Sequence, residues 1–123
     1  VVPKGFFGPG STFRFTVYGS RTGTSGAATI LVDINGTTAV TLAIPTNTAV
    51  DFFWQATVHE VGDLAHQQNV AFCLASATVL SAMDYNASAV NVSQTSTIKL
   101  KQTLASASDT LVIDYIMIEY WKI

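Results

Sequence analysis

The strongest constraint on the fold is an alternation of apolar and polar residues that recurs in short segments. In STFRFTVYG, the side chains of Phe13, Phe15 and Val17 fall on one face, and polar side chains fall on the other. This period of two is typical of a strand with one buried face. The same pattern recurs in TILVDI, TTAVTLAI and STIKLKQTL. The chain is therefore predicted to be built from β-strands.

Turn residues separate these segments. Asn35 and Gly36 stand between two alternating segments and predict a tight hairpin, because both central positions of a type I′ turn have positive φ. NVAFCLASATVLSAM is interpreted as one strand, or as two strands broken near Ser76, and DYNAS as a turn. About eight strands result, and they predict an all-β, antiparallel two-sheet β-sandwich, with a jelly roll as the favoured topology. Residues 1–123 form one domain in this interpretation, and the start VVPKGFFGPG suggests a C-terminal fragment of a longer chain.

The low charge of the chain excludes some partners. Charged residues make up 11% of the sequence, against roughly 25% in average globular domains. The six Lys and Arg residues form no basic stripe, so the sequence predicts no nucleic-acid partner. No apolar run is long enough for a membrane helix, so no membrane insertion is expected. The single cysteine, Cys73, lies in an apolar run and is predicted to be buried and inert.

No motif selects a catalytic or metal site. HEVGDLAH holds His59, Glu60, Asp63 and His66, but the spacing is not that of a helical zinc motif. In a strand, His59 and Glu60 would point to opposite faces. The eight acids are scattered along the chain, and nothing in the sequence selects two of them as the pair that glycoside cleavage requires. We therefore predict a protein without catalytic residues, metal or cofactor.

Aromatic residues offer the second kind of site. A ring with an apolar face and a polar tip suits stacking on a sugar. Tyr18, on the polar face of the first strand, and Tyr85, in the predicted turn MDYNAS, are the candidate glycan contacts. Trp54 shares a face with Phe52 and Val58, so it is predicted to lie in the core.

The terminal segment DTLVIDYIMIEYWKI is apolar in both of its alternating sets. A strand that is apolar on both faces is covered on both faces, and a copy of the same chain is the commonest cover in homo-oligomers. We predict an oligomer interface at Ile116, Ile118 and Tyr120, with Trp121 near its edge. The alternative, a strand that ends inside a deep core, stays open at this point.

The two ends of the chain resemble a domain of bacteriophage tail fibres and tailspikes. The resemblance lies in GSTFRFTVYGSRTGTSGAATILVDING and in STIKLKQTLASASDTLVIDYIMIEYW. It implies a C-terminal β-sandwich that forms a homotrimer on the virion tail, outside the host cell, and contacts a bacterial surface polysaccharide or lipopolysaccharide. In such proteins, cleavage of polysaccharide belongs to a separate β-helix domain, so the resemblance supplies no catalytic residue.

The expected function is therefore receptor binding by a non-enzymatic phage tail domain. Two alternatives stay open on the sequence. The first is a carbohydrate-binding module of a secreted bacterial hydrolase. The second is a jelly-roll capsid or decoration protein.

Overall fold

The computed structural model describes residues 1–23, 28–44, 49–75 and 82–122. Eight strands account for most of these residues, and none of the described residues belongs to a helix that could span a bilayer. The strands are β1 (Thr12–Thr22), β2 (Ala28–Ile34), β3 (Thr37–Ile44), β4 (Ala49–Glu60), β5 (Gln67–Ala75), β6 (Ala82–Ser88), β7 (Ile98–Leu104) and β8 (Thr110–Trp121).

The strands form two antiparallel sheets of unequal size. The larger sheet has the order β6-β5-β4-β1-β8, and the smaller has the order β3-β2-β7. The predicted all-β fold, the two sheets and the number of strands are confirmed. The sheets divide five and three, and the jelly-roll connectivity is not confirmed.

The core lies between the two sheets and consists of the residues that the alternation assigns to the inner faces. Phe15 and Val17 of β1 pack there with Trp54 of β4, which is fully buried. The inner residues of β2 and β3, such as Ile30 and Val40, complete the layer from the other sheet. Burial of each such side chain stabilises the fold by about 1.5–3 kcal/mol, so the alternation fixes which face of each strand points inward.

The predicted hairpin joins β2 to β3. Asn35 and Gly36 have φ values of 53° and 84°, as a type I′ turn requires. The Gly36 N–H donates to Asp33 Oδ1 at 2.9 Å, and the Thr97 N–H donates to Asn35 Oδ1 at 2.8 Å. The turn therefore also holds the segment that leads into β7.

The prediction of a turn at DYNAS is wrong, because these residues belong to β6. Strand β6 pairs antiparallel with β5, so the two-strand interpretation of this region is the correct one. The Asn86 side chain points inward and donates through Nδ2 to the carbonyl oxygen of Ala39 on β3, at 2.6 Å. Asn69 Nδ2 donates to the same oxygen at 3.0 Å. These two amide side chains link the two sheets and close the β3/β6 side of the sandwich. Of the two, Asn86 is the one that resembled a turn residue in the sequence.

A buried ion pair anchors the start of β8. Arg21 of β1 and Asp109 are 3.0 Å apart, and both side chains are fully buried. Arg21 also donates to the carbonyl oxygen of Ile44, at 3.0 Å. Gly23 has a φ of 117°, and a Cβ at this position would overlap the Asp109 side chain. The pair therefore fixes the connection between β7 and β8 to both sheets.

Candidate binding surfaces: the open edge and the outer aromatic row

The side of the sandwich formed by β7 and β8 is open. Strand β8 is one edge of the larger sheet and pairs with β1, while β7 is one edge of the smaller sheet and pairs with β2. Among the described strands, neither has a neighbour on its other side. Each therefore presents a row of backbone N–H and C=O groups that another strand can pair with.

A β-bulge in β8 changes which residues share a face. The register with β1 shifts between Tyr18 and Gly19, so that Asp114 has no partner on the neighbouring strand. Sequence alternation separated Leu111 and Ile113 from Ile116 and Ile118. In the structure all four lie on the side of β8 that faces the smaller sheet. Ile116 and Ile118 pair with the core residues Val17 and Phe15, Leu111 belongs to the core, and Ile113 packs against it.

Ile116 and Ile118 nevertheless remain accessible to solvent. They are 47% and 61% exposed, although they are paired with the core residues Val17 and Phe15. Within the described part of the chain the smaller sheet ends at β7, and no fourth strand covers them. The patch predicted at these residues therefore lies on the inner face of the larger sheet, and not on its outer face. We call this uncovered part of β8, with Ile116 and Ile118, the overhang.

Tyr120 and Trp121, the other two predicted interface residues, have different surroundings. The Tyr120 ring stacks on Phe6, with 4.4 Å between ring centroids, and its hydroxyl donates to the Phe6 carbonyl oxygen at 2.6 Å. Trp121 lies on the outer face, where the Arg14 guanidinium is 4.8 Å from its ring centroid. Glu119 accepts two hydrogen bonds from Arg14, at 2.9 and 3.1 Å. The N-terminal segment thus covers one end of β8, while Trp121 borders the outer surface.

Aromatic side chains form a continuous row across the outer face of the larger sheet. Tyr115 of β8, Tyr18 of β1, Phe53 of β4 and Phe72 of β5 follow one another, with 6.1, 5.1 and 5.7 Å between successive ring centroids. Tyr115 and Tyr18 are 53% and 48% exposed. The row exposes ring faces and hydroxyl groups together, a combination that suits sugars or another protein surface.

Tyr18 and Tyr85 lie on the same outer face but are not adjacent. Tyr85 is on β6 and pairs with Val70 of β5, whereas Tyr18 is on β1, beyond β4. Three strand spacings of about 4.8 Å put them at least roughly 14 Å apart. Tyr18 belongs to the aromatic row, and Tyr85 is a separate exposed ring at the other edge of the sheet.

The structure shows no enclosed pocket and no group of metal ligands among the described residues. The four polar residues of HEVGDLAH do not form one site, although Asp63 and His66 are paired at 2.8 Å. His59 Nδ1 is 2.8 Å from Thr12 Oγ1, and the pKa of Asp63 is lowered by hydrogen bonds from the Ala65 N–H and from His66.

Glu60 is almost fully buried at the end of β4. Its Oε2 accepts a hydrogen bond from Gln67 Nε2 at 3.0 Å, and its Oε1 has no hydrogen-bond partner within the described residues. Burial raises the pKa of this carboxyl, the Gln67 hydrogen bond opposes that effect, and the nearby charge of Asp63 adds to it. The fold therefore favours the protonated form of Glu60.

The Glu60→Gln variant is expected to be more stable than the parent protein at neutral pH. A folded-state pKa above the unfolded value gives a contribution to stability that is complete at low pH and is lost as pH rises through the folded-state pKa. The difference in free energy of unfolding should therefore grow in favour of the variant from below pH 4.5, the ordinary pKa of Glu, to neutral pH. Urea unfolding of both proteins across this pH range measures the difference. A difference in free energy of unfolding that stays constant with pH would contradict the prediction.

Comparison with known proteins gives no relative: no protein-family model, curated protein or solved structure matches the chain.

Sequence reasoning missed two features of these surfaces. It did not identify Tyr115 and Phe53 as neighbours of Tyr18, although alternation in β4 already placed Phe53 on the face opposite Trp54. It also missed the overhang, because no local feature of the sequence indicates how many strands the smaller sheet has.

Cys73 is buried as predicted, and burial raises its thiol pKa to about 11, which agrees with an inert thiol.

Proposed function

We propose that this chain is a non-catalytic C-terminal domain of a phage tail fibre or tailspike, which forms a homotrimer and contributes to recognition of a glycan on the bacterial surface. The observation that carries the proposal is the uncovered edge at β8. A twelve-residue edge strand with exposed isoleucines on its inner face is a site where a soluble protein would aggregate unless a defined partner covers it. A symmetric homo-oligomer supplies that partner.

Glycan recognition is supported by the outer aromatic row. Tyr18 and Tyr115 are exposed on a rigid sheet, and their positions are held by pairing of β1 with β8. Rings on adjacent strands can stack on successive sugar units, while the hydroxyl groups provide hydrogen bonds. Three such rows on one trimer bind a repeating polysaccharide with higher avidity than a single row does.

The mass of the protein in solution tests the assembly. Light scattering should give a particle with three times the 13.1 kDa mass of the chain. The same aromatic row would equally serve a carbohydrate-binding module of a secreted hydrolase, the second candidate function. A monomer that binds polysaccharide would favour that module and would contradict the tail-domain proposal.

The Tyr18→Ala variant is expected to lower the affinity for a bound surface glycan about five- to tenfold, because a stacking ring contributes on the order of 1 kcal/mol beyond its buried area. Binding is measured on an array of bacterial polysaccharides and lipopolysaccharides, followed by titration of the best ligand. Tyr85→Ala, outside the row, should have a smaller effect. Thr41→Ala, exposed on the opposite sheet, is the control. Equal affinities for the parent and the Tyr18 variant would remove the row from the site.

A further inference from the structure

The charges on the edge strands differ in sign. Among the four edges, β7 carries Lys99 and Lys101, β8 carries Asp114 and Glu119, β6 carries Asp84, and β3 carries no charged residue. Pairing of β8 with β6 or with another β8 brings acids near acids. Pairing of β8 with β7 brings acids near lysines, so among the edges that could pair with β8 charge favours β7.

Two of these charges are available for a partner. Lys101 is 3.3 Å from Asp33, and Glu119 is bound to Arg14. Lys99 and Asp114 are exposed and make no ion pair with the described residues. Each edge therefore offers one charge that a second copy can complement.

The geometry of the open side fits a ring. Strand β3, at one end of the smaller sheet, contacts β5 and β6, so β7, at the other end, lies on the β8 side of the sandwich. The five residues between β7 and β8 reverse the chain. When the open sides of several copies face a common axis parallel to the strands, β8 of one copy meets β7 of the next, and the two run antiparallel. This contact joins two different edges, so it is repeated around the axis until the ring closes.

We infer that the trimer is built head to tail, with β8 of each subunit lying antiparallel beside β7 of the next subunit. This inference rests on the proposed function for the number of subunits, and it assigns the interface to particular edges. The second copy gives the smaller sheet the strand that it lacks beyond β7. The inner faces of β8, with Ile116 and Ile118, then meet around the threefold axis together with the half-buried Leu100 of β7. The Asn86 contact with β3 keeps the opposite side of each sandwich closed.

Zero-length crosslinking tests this arrangement. A carbodiimide activates a carboxylate, and a neighbouring lysine amine displaces the activating group to form an amide. A mixture of ¹⁴N and ¹⁵N protein is crosslinked, digested and examined by mass spectrometry. We expect mixed-isotope peptides that join Asp114 to Lys99. A trimer whose intermolecular crosslinks join other edges, with none between β7 and β8, would overturn the inference.

Charge reversal gives an independent readout. Lys99→Glu and Asp114→Lys should each weaken assembly about fivefold or more at low salt, with a smaller effect at high salt. The protein with both changes should regain most of the lost assembly, because the ion pair between these two positions is restored with its charges exchanged. Asp84→Lys, on the edge of the closed side, is the matched control and should leave assembly unchanged. Failure of the double variant to recover would contradict the pairing of β8 with β7.

The outcomes separate the inference from the proposed function. A trimer without β7–β8 crosslinks overturns the inference and leaves the tail-domain proposal in place. A crosslinked trimer that binds no bacterial glycan supports the inference and overturns the recognition proposal. A monomer at all concentrations overturns both.

Discussion

The Ile118→Asp variant is expected to be a folded monomer. In the isolated chain Ile118 is 61% exposed, so an aspartate there should change the free energy of unfolding by no more than about 1 kcal/mol. In the proposed assembly the same position lies in an apolar interface, where an unpaired carboxylate would cost several kcal/mol in each subunit. Light scattering measures the mass, and circular dichroism with urea unfolding establishes that the variant is folded.

Met83→Asp is the matched control for this variant. Met83 is 64% exposed and also lies on an edge strand of the larger sheet, but on the closed side of the sandwich. We expect it to keep the parent mass. If Ile118→Asp stays fully assembled, or if both variants dissociate equally, the overhang of β8 is not the interface.

The Asp109→Ala variant is expected to lose about 3–5 kcal/mol of stability, because it leaves the Arg21 guanidinium buried without its carboxylate. Asp109 directly precedes β8, so the pair ties the start of that strand to β1. Urea unfolding at neutral pH measures the change. Partial recovery is expected when Arg21→Met is added, because the double variant no longer buries an unpaired charge.

Glu119→Ala provides the comparison for the buried pair. Glu119 forms a similar pair with Arg14, at 2.9 Å, but both side chains are about one-third exposed. Removal of this pair should cost less than about 1 kcal/mol. If the two alanine variants lose similar amounts of stability, burial does not make the Arg21–Asp109 pair more important than a surface pair.

The parts of the fold that local pattern controls were predictable from the sequence. The inner faces of β1 to β4 follow the period of two, and the turn at Asn35 and Gly36 follows from its demand for positive φ. Strand β6 was mistaken for a turn because Asn86 and its neighbours are typical turn residues. Their polar side chains are accommodated because they bond to β3 and β5 between the sheets, and no local signal announces such partners.

The features that define the candidate surfaces depend on contacts between distant parts of the chain. Arg21 and Asp109 are 88 residues apart in sequence, so their pairing could not be read from spacing. The bulge at Asp114 arises from pairing with β1, and it moves Ile116 and Ile118 onto the same side as Leu111. Their exposure depends on the number of strands in the opposite sheet. The sequence indicated that β8 is unusual, whereas the fold determined which of its faces is uncovered.

Hydrogen exchange of the backbone amides tests most directly whether other subunits cover β8. We expect slow exchange along the free edges of β8 and β7 in the assembled protein, and faster exchange after dilution or in the Ile118→Asp variant. The free edge of β6 serves as an internal reference and should exchange quickly throughout. Exchange in β8 as fast as in β6, at every protein concentration, would contradict the account.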